Sequence, residues 1–204
     1  MAVFKMNYET NEPMSVFAGV QSDKEYGDDE KHLSIPTSVD TDKDGNVYVS
    51  DFGNHRIQIF DPSGKIIKTI KTKFPAKVSV HQKSGEVYVF SWGVVGLPLE
   101  IERKNEFDPA KIPQKITVYT ALPECKQKQE DAFSFGPTSY GYIFIMGQTY
   151  QLAFDSWSET PAFWVVGRKF IPGPEDIYAN SDNMPLDMVK LWEGGAGKVQ
   201  LING

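Results

Sequence analysis

The sequence predicts an all-β fold built from a four-stranded antiparallel unit that recurs about every forty residues, and three observations predict it. The first is a repeated strand: Gly45-Asn-Val-Tyr-Val-Ser-Asp-Phe-Gly53 returns as Gly85-Glu-Val-Tyr-Val-Phe-Ser-Trp-Gly93. The second is composition. Short runs rich in β-branched and aromatic residues are punctuated by Gly, Pro, Asn and Asp, and no segment has helical periodicity. The third is the approach to each repeat, where Pro36 opens PTSVDTDKDG and Pro75 opens PAKVSVHQKSG.

The elements follow in order. Pro36 and Pro75 each begin an approach strand, and a glycine turn leads into the strand that ends at Asp51 or Ser91. Arg56-Ile-Gln-Ile-Phe-Asp61 is the third strand of the first unit, with counterparts in Lys115-Ile-Thr-Val-Tyr-Thr120 and Tyr150-Gln-Leu-Ala-Phe-Asp155. A closing strand follows as KIIKTI in the first unit and AFWVV in the third. A degenerate third copy of the glycine-flanked strand is Gly141-Tyr-Ile-Phe-Ile-Met-Gly147. Between Gly93 and Ile116 lies a proline-bearing insertion, VVGLPLEIERKNEFDPAKIPQK, that replaces the corner of the second unit. The first residues, MAVFKMNYETNEPMSVFAGV, read as the last two strands of a unit.

Four strands in about 40–45 residues is the period of a propeller blade. The stretch IPTSVDTDKDGNVYVSDFGNHRIQIFDPSGKIIKTI, with its Asn54-His55-Arg56-Ile57 corner, resembles an NHL repeat. That resemblance implies a β-propeller of four-stranded antiparallel blades, commonly six. The units are then 1–22 (the last strands of a first blade), 33–75, 75–122 with the inserted loop 94–114, 133–167, and a weak partial blade at 168–204. About four to five blades are present, an incomplete six-bladed ring. The expectation is a fragment of a longer ring. The alternatives are a small ring in which the N-terminal strands complete a C-terminal blade, and two copies paired at their exposed edges.

With 204 residues, 40% hydrophobic and 24% charged, the chain has the composition of a folded domain rather than a disordered one. A formal charge of −6 argues against nucleic acid as a partner. No run reaches the length of a membrane span, and MAVFKMNYETNEPM has no apolar signal core. A chain with that native start is expected in the cytoplasm. A single cysteine, Cys125, excludes an intrachain disulfide.

The corner is the first candidate for chemistry. A hairpin sets Asp51 beside Arg56, where planar guanidinium and carboxylate favour a bidentate pair. Asn54 suits the turn, because it bonds local backbone and tolerates positive φ. A catalytic reading makes His55 a base oriented by Asp51, whereas the structural reading, which the residues favour, makes the corner a staple between strands. Asp40-Thr-Asp42-Lys-Asp44-Gly45, with Asp51 further on, resembles a calcium loop in spacing. The strand Val47-Tyr48-Val49 stands where that loop's helix would start, so a surface turn is expected.

Other candidates are weaker. Asp28-Asp29-Glu30 reads as a solvated loop. His32, His55 and His81 show no zinc spacing. Cys125 lies among lysines that favour a lowered thiol pKa, but no base accompanies it. Trp92, Trp157, Trp164 and Trp192, with Tyr140, Tyr142, Phe144 and Tyr150, are expected to pack blade on blade. Lysines 111, 115, 126 and 128 are interrupted by Glu124, Glu130 and Asp131.

No catalytic, cofactor-binding or metal-ligating set assembles from these residues. The functional expectation is therefore a non-catalytic binding or scaffold module, presenting loops such as 94–114 and 123–132 to a protein or small ligand. The alternative is a metal-dependent propeller enzyme, a lactonase-like hydrolase or a lyase, to which Asp155, Asn180 and Asp182 would contribute.

Overall fold

The structure, a computed structural model, describes residues 1–22, 24–25, 27–92, 112, 114–132, 152–168 and 186–193. These residues are all-β apart from one 3-10 turn at Phe52–Asn54. A hairpin comes first, β1 (Ala2–Lys5) and β2 (Ser15–Gly19). A four-stranded meander follows: β3 (Pro36–Thr41), β4 (Val47–Asp51), β5 (Arg56–Phe60) and β6 (Ile66–Lys71). The second meander is β7 (Pro75–Val80), β8 (Val87–Ser91), β9 (Lys115–Tyr119) and β10 (Gln127–Ala132). A three-stranded sheet closes the series with β11 (Leu152–Asp155), β12 (Ala162–Arg168) and β13 (Leu186–Glu193). All pairings are antiparallel and sequential.

Turn chemistry fixes the first meander. Asp42 and Asp61 each begin a turn that ends on a glycine three residues later, Gly45 (φ 80°) and Gly64 (φ 88°). Left-handed backbone there suits glycine. The Asp61 carboxylate accepts from the Ser63 and Lys65 N–H groups, tying the turn to its own side chain.

Alternation along the central strands stacks the sheets. On β4, Tyr48 packs toward the second meander while Val49 packs toward the β1–β2 hairpin. On β8, Val87 and Val89 meet Ile57, Ile59 and Ile70 of the first meander, whereas Tyr88 and Phe90 meet Phe163 of β12. Period-two alternation therefore gives each central strand two buried faces, one per neighbouring sheet. The result is a series of hairpin, meander, meander and three-stranded sheet, each packed face to face on the next.

The first strands of the two meanders are also stitched together. Thr37 Oγ1 donates to the Pro75 carbonyl at 3.2 Å, and the Val80 N–H donates to Asp40 Oδ2 at 2.8 Å. Gln82 Nε2 donates to the Thr41 carbonyl at 2.7 Å. Both strands start alike, because Ile35 (φ 55°) and Phe74 (φ 52°) hold left-handed backbone just before Pro36 and Pro75. Such a conformation is costly for a branched or bulky residue and persists only where packing enforces it.

One expectation changes here. The stretch containing 123–132, expected as a presenting loop, is largely strand, since β10 occupies Gln127–Ala132. Its sequence QKQEDA lacks apolar alternation because β10 is an edge with mostly exposed side chains. The insertion 94–114 lies outside the described residues, apart from Ile112 and Gln114.

Candidate functional site: the Asn-His-Arg corner and its cleft

Asp51 ends β4 and Arg56 opens β5, and the two are register partners. The Asp51 carboxylate is fully buried. Its Oδ1 accepts from the Ser34 N–H at 2.7 Å, and its Oδ2 accepts from Asn54 Nδ2 at 2.8 Å and Arg56 Nε at 2.7 Å. Burial pushes the Asp51 pKa up, against the opposing pull of Asn54, Ser34 and Arg56.

The expected bidentate pair is not formed, since a single guanidinium nitrogen meets Asp51. Arg56 Nη1 instead donates to the Asp28 carbonyl at 2.7 Å, and Nη2 donates to the Asp29 and His32 carbonyls, each at 2.8 Å. Asn54 Nδ2 reaches the same segment through the Gly27 carbonyl at 2.6 Å. The acidic run 28–30 is thus clamped to the corner by its backbone, a role its charge pattern conceals.

Positive φ falls on His55 (53°), not on Asn54, which lies in the 3-10 turn. His55 is not oriented by Asp51. Its Nδ1 accepts from the Phe74 N–H at 3.3 Å, and its ring meets Phe74 edge-on at 4.5 Å. Burial, followed by the nearby Lys73 ammonium, holds the His55 pKa below 6.5. A neutral imidazole accepting from backbone is a structural element of the corner.

The calcium-like aspartates are not brought together. Asp42 binds its own turn, accepting from the Asp44 and Asn46 N–H groups, Asn46 Nδ2 and Tyr48 Oη. Asp44 pairs with Lys43, Asp40 reaches across to Val80, and Asp51 lies at the far end of β4. Among the described residues no group of three or more His, Cys, Asp or Glu converges. Asp155 accepts from the Trp157 and Ser158 N–H groups in a turn of its own, and Asn180 and Asp182 lie outside the described residues.

Cys125 corrects an expectation. It is buried in the core between the two meanders at φ 48°, and burial pushes its thiol pKa up despite Lys68 nearby. The other histidines are also engaged. His32 contacts Asp29 at 2.8 Å, while buried His81 is bonded to Ser84 and to the Ser158 carbonyl.

Of the aromatics, Trp92 is buried in the core, whereas Trp157 and Trp164 are exposed. Tyr140, Tyr142, Phe144, Tyr150 and the side chain of Trp192 lie outside the described residues. The packing is carried by Tyr88, Phe90, Phe154 and Phe163, with Phe154 stacked on Phe163 at 4.5 Å.

Beside the corner, a cleft of about 710 Å³ opens between the outer strands of the two meanders. Thr69, Lys71 and Lys73 line it from one side, and Lys115, Tyr119 and Gln127 from the other. Lys115 pairs with Glu130 at 2.9 Å, and Lys128, away from the cleft lining, pairs with Glu86. Lys71 and Lys73 are exposed and have no carboxylate partner among the described residues. Neither lysine belongs to a motif in the sequence. The signal that could have found them is their two-residue spacing at the end of an edge strand, Lys71-Thr-Lys73.

A model of the NHL repeat matches residues 33–60, the segment holding β3, β4, the corner and β5. The chain carries an NHL repeat. In this NHL repeat the Asp51, Asn54 and Arg56 side chains join the β4–β5 corner to the segment before β3. No curated protein matches the chain.

Proposed function

We propose that the chain is a non-catalytic binding module of the NHL β-propeller type, whose blades present a surface to a protein or small ligand. The NHL repeat, the two four-stranded meanders and their stitched first strands support the propeller reading. The blade units 33–75 and 75–122 belong to that proposal, as does the incomplete ring.

One observation carries the binding reading. The polar groups of the corner are used within the fold, while the adjoining cleft leaves Lys71, Lys73 and Thr69 facing open space. A scaffold that consumes its Asp, Asn and Arg in structure and leaves a polar cleft beside them offers recognition rather than bond-breaking chemistry.

The test is panning of a displayed random dodecapeptide library on the immobilised full chain. The reading expects enriched peptides whose binding is lost on a cleft substitution. An absence of enrichment would overturn it, as would turnover of ester or lactone substrates that a single substitution abolishes.

A further inference from the structure

We propose that the cleft between the first and second meanders binds an extended acidic peptide with carboxylates at alternate positions. This rests on the reading of the chain as a binding module and names the chemistry of its partner.

Three features of the cleft point there. The first is spacing. Lys71 ends β6 and Lys73 follows two residues on, with buried Thr72 between them. In extended backbone, residues two apart project to the same side about 6.6 Å from one another. An extended peptide repeats its own side chains at that interval. Aspartate or glutamate at every second position therefore offers one carboxylate to each exposed lysine, Lys71 at the end of β6 and Lys73 in the bend just beyond it.

The second feature is availability. Lys115 is already paired with Glu130, and Arg56 is committed to Asp51 and three carbonyls. Lys71 and Lys73 are the exposed cations of the lining left without a carboxylate among the described residues. Thr69, on the same strand, adds an exposed hydroxyl donor. Buried Tyr119, from β9, forms part of the cleft wall.

The third feature selects among anions. Asp28 and Glu130 also line the cleft, and the whole chain carries a formal charge of −6. A polyphosphate strand brings dense, evenly spaced negative charge that these carboxylates repel. A peptide places its carboxylates selectively, keeping neutral residues against Asp28 and Glu130. The observations favour the peptide over nucleic acid.

The experiment is fluorescence anisotropy of the full chain with a fluorescein-labelled peptide of six Glu-Ser repeats, at low salt. The comparison arms are the Gln-Ser peptide and a single-stranded oligonucleotide of equal charge. Two chain variants, Lys71→Glu/Lys73→Glu and Lys71→Ala/Lys73→Ala, are checked by thermal melting. Both positions are exposed, so the melts should match that of the unsubstituted chain. The proposal expects saturable binding of the Glu-Ser peptide, weakened at least about tenfold by the charge reversal and less by the alanines. The Gln-Ser peptide should not bind, and the oligonucleotide should bind more weakly.

Unchanged affinity in both variants, equal binding of the Gln-Ser peptide, or tighter binding of the oligonucleotide would each overturn the proposal. Should library panning instead enrich neutral or apolar peptides that depend on the cleft, the binding-module reading would stand while this inference fails.

Discussion

Arg56 meets Asp51 through one nitrogen, Nε at 2.7 Å from Oδ2, although the two residues face each other across the β4–β5 hairpin. The remaining donors used by the guanidinium reach back to carbonyls of the segment before β3. The ion pair is thus also a tie between parts of the chain more than twenty residues apart in sequence. A planar cation with several fixed donors suits that task, and a lysine ammonium at the same place would not.

Asn54 is the second tie, joining the Gly27 carbonyl to the Asp51 carboxylate. Asn54→Ala removes one donor from a fully buried carboxylate, at a cost of about 1.5–3 kcal/mol for a hydrogen bond to a charged group. Urea denaturation of the variant checks this, and the midpoint should fall without a change in slope.

His55 gives the corner a pH dependence. Its folded pKa lies below the ordinary 6.5, so folding favours the neutral ring. The contribution is complete above pH 6.5 and is lost as the pH falls through the lower folded value. Protonation also removes the Nδ1 acceptor that holds the Phe74 N–H. His55→Asn keeps a residue tolerant of positive φ and does not titrate. The Tm of the unsubstituted chain should therefore fall more between pH 7.5 and 5 than that of the variant.

Gln58 is a candidate for improvement. It is 1% exposed on β5, and neither amide atom has a partner among the described residues. A buried, unbonded polar group costs about 1–3 kcal/mol. Gln58→Met preserves volume without that cost and should raise the urea midpoint. A lowered midpoint would mean that the amide is satisfied in solution.

Phe163 probes the stacking of the third sheet on the second meander. It is fully buried, meeting Phe90 edge-on at 4.5 Å and Phe154 in a stack. Phe163→Ala should cost about 3–5 kcal/mol. If the three-stranded sheet unfolds by itself, native-state hydrogen exchange will show the β11–β13 amides losing protection while those of β3–β6 keep theirs.

Much of this architecture is legible in the sequence, for a physical reason. Val47-Tyr48-Val49 and Val87-Tyr88-Val89 lie in central strands buried on both faces, so apolar side chains mark them strongly. β10 escapes the same reading because an exposed edge strand needs no apolar pattern. The corner's position was legible, but its partner was not. Residues 27–32 supply chiefly carbonyls to Asn54 and Arg56, and a carbonyl leaves no trace in the residue types. The cleft was hidden for another reason, since Lys71 and Lys115 lie far apart in sequence and line one cleft only when the meanders pack.

The Asn-His-Arg corner holds the fold together through the Asp51, Asn54 and Arg56 side chains. The most direct test is the unfolding free energy of Arg56→Ala by urea titration. Removing Arg56 leaves the buried Asp51 carboxylate without its cation and three carbonyls without their donor, and the predicted loss is about 3–5 kcal/mol. A loss below about 1 kcal/mol, the range of an exposed surface pair, would contradict the claim.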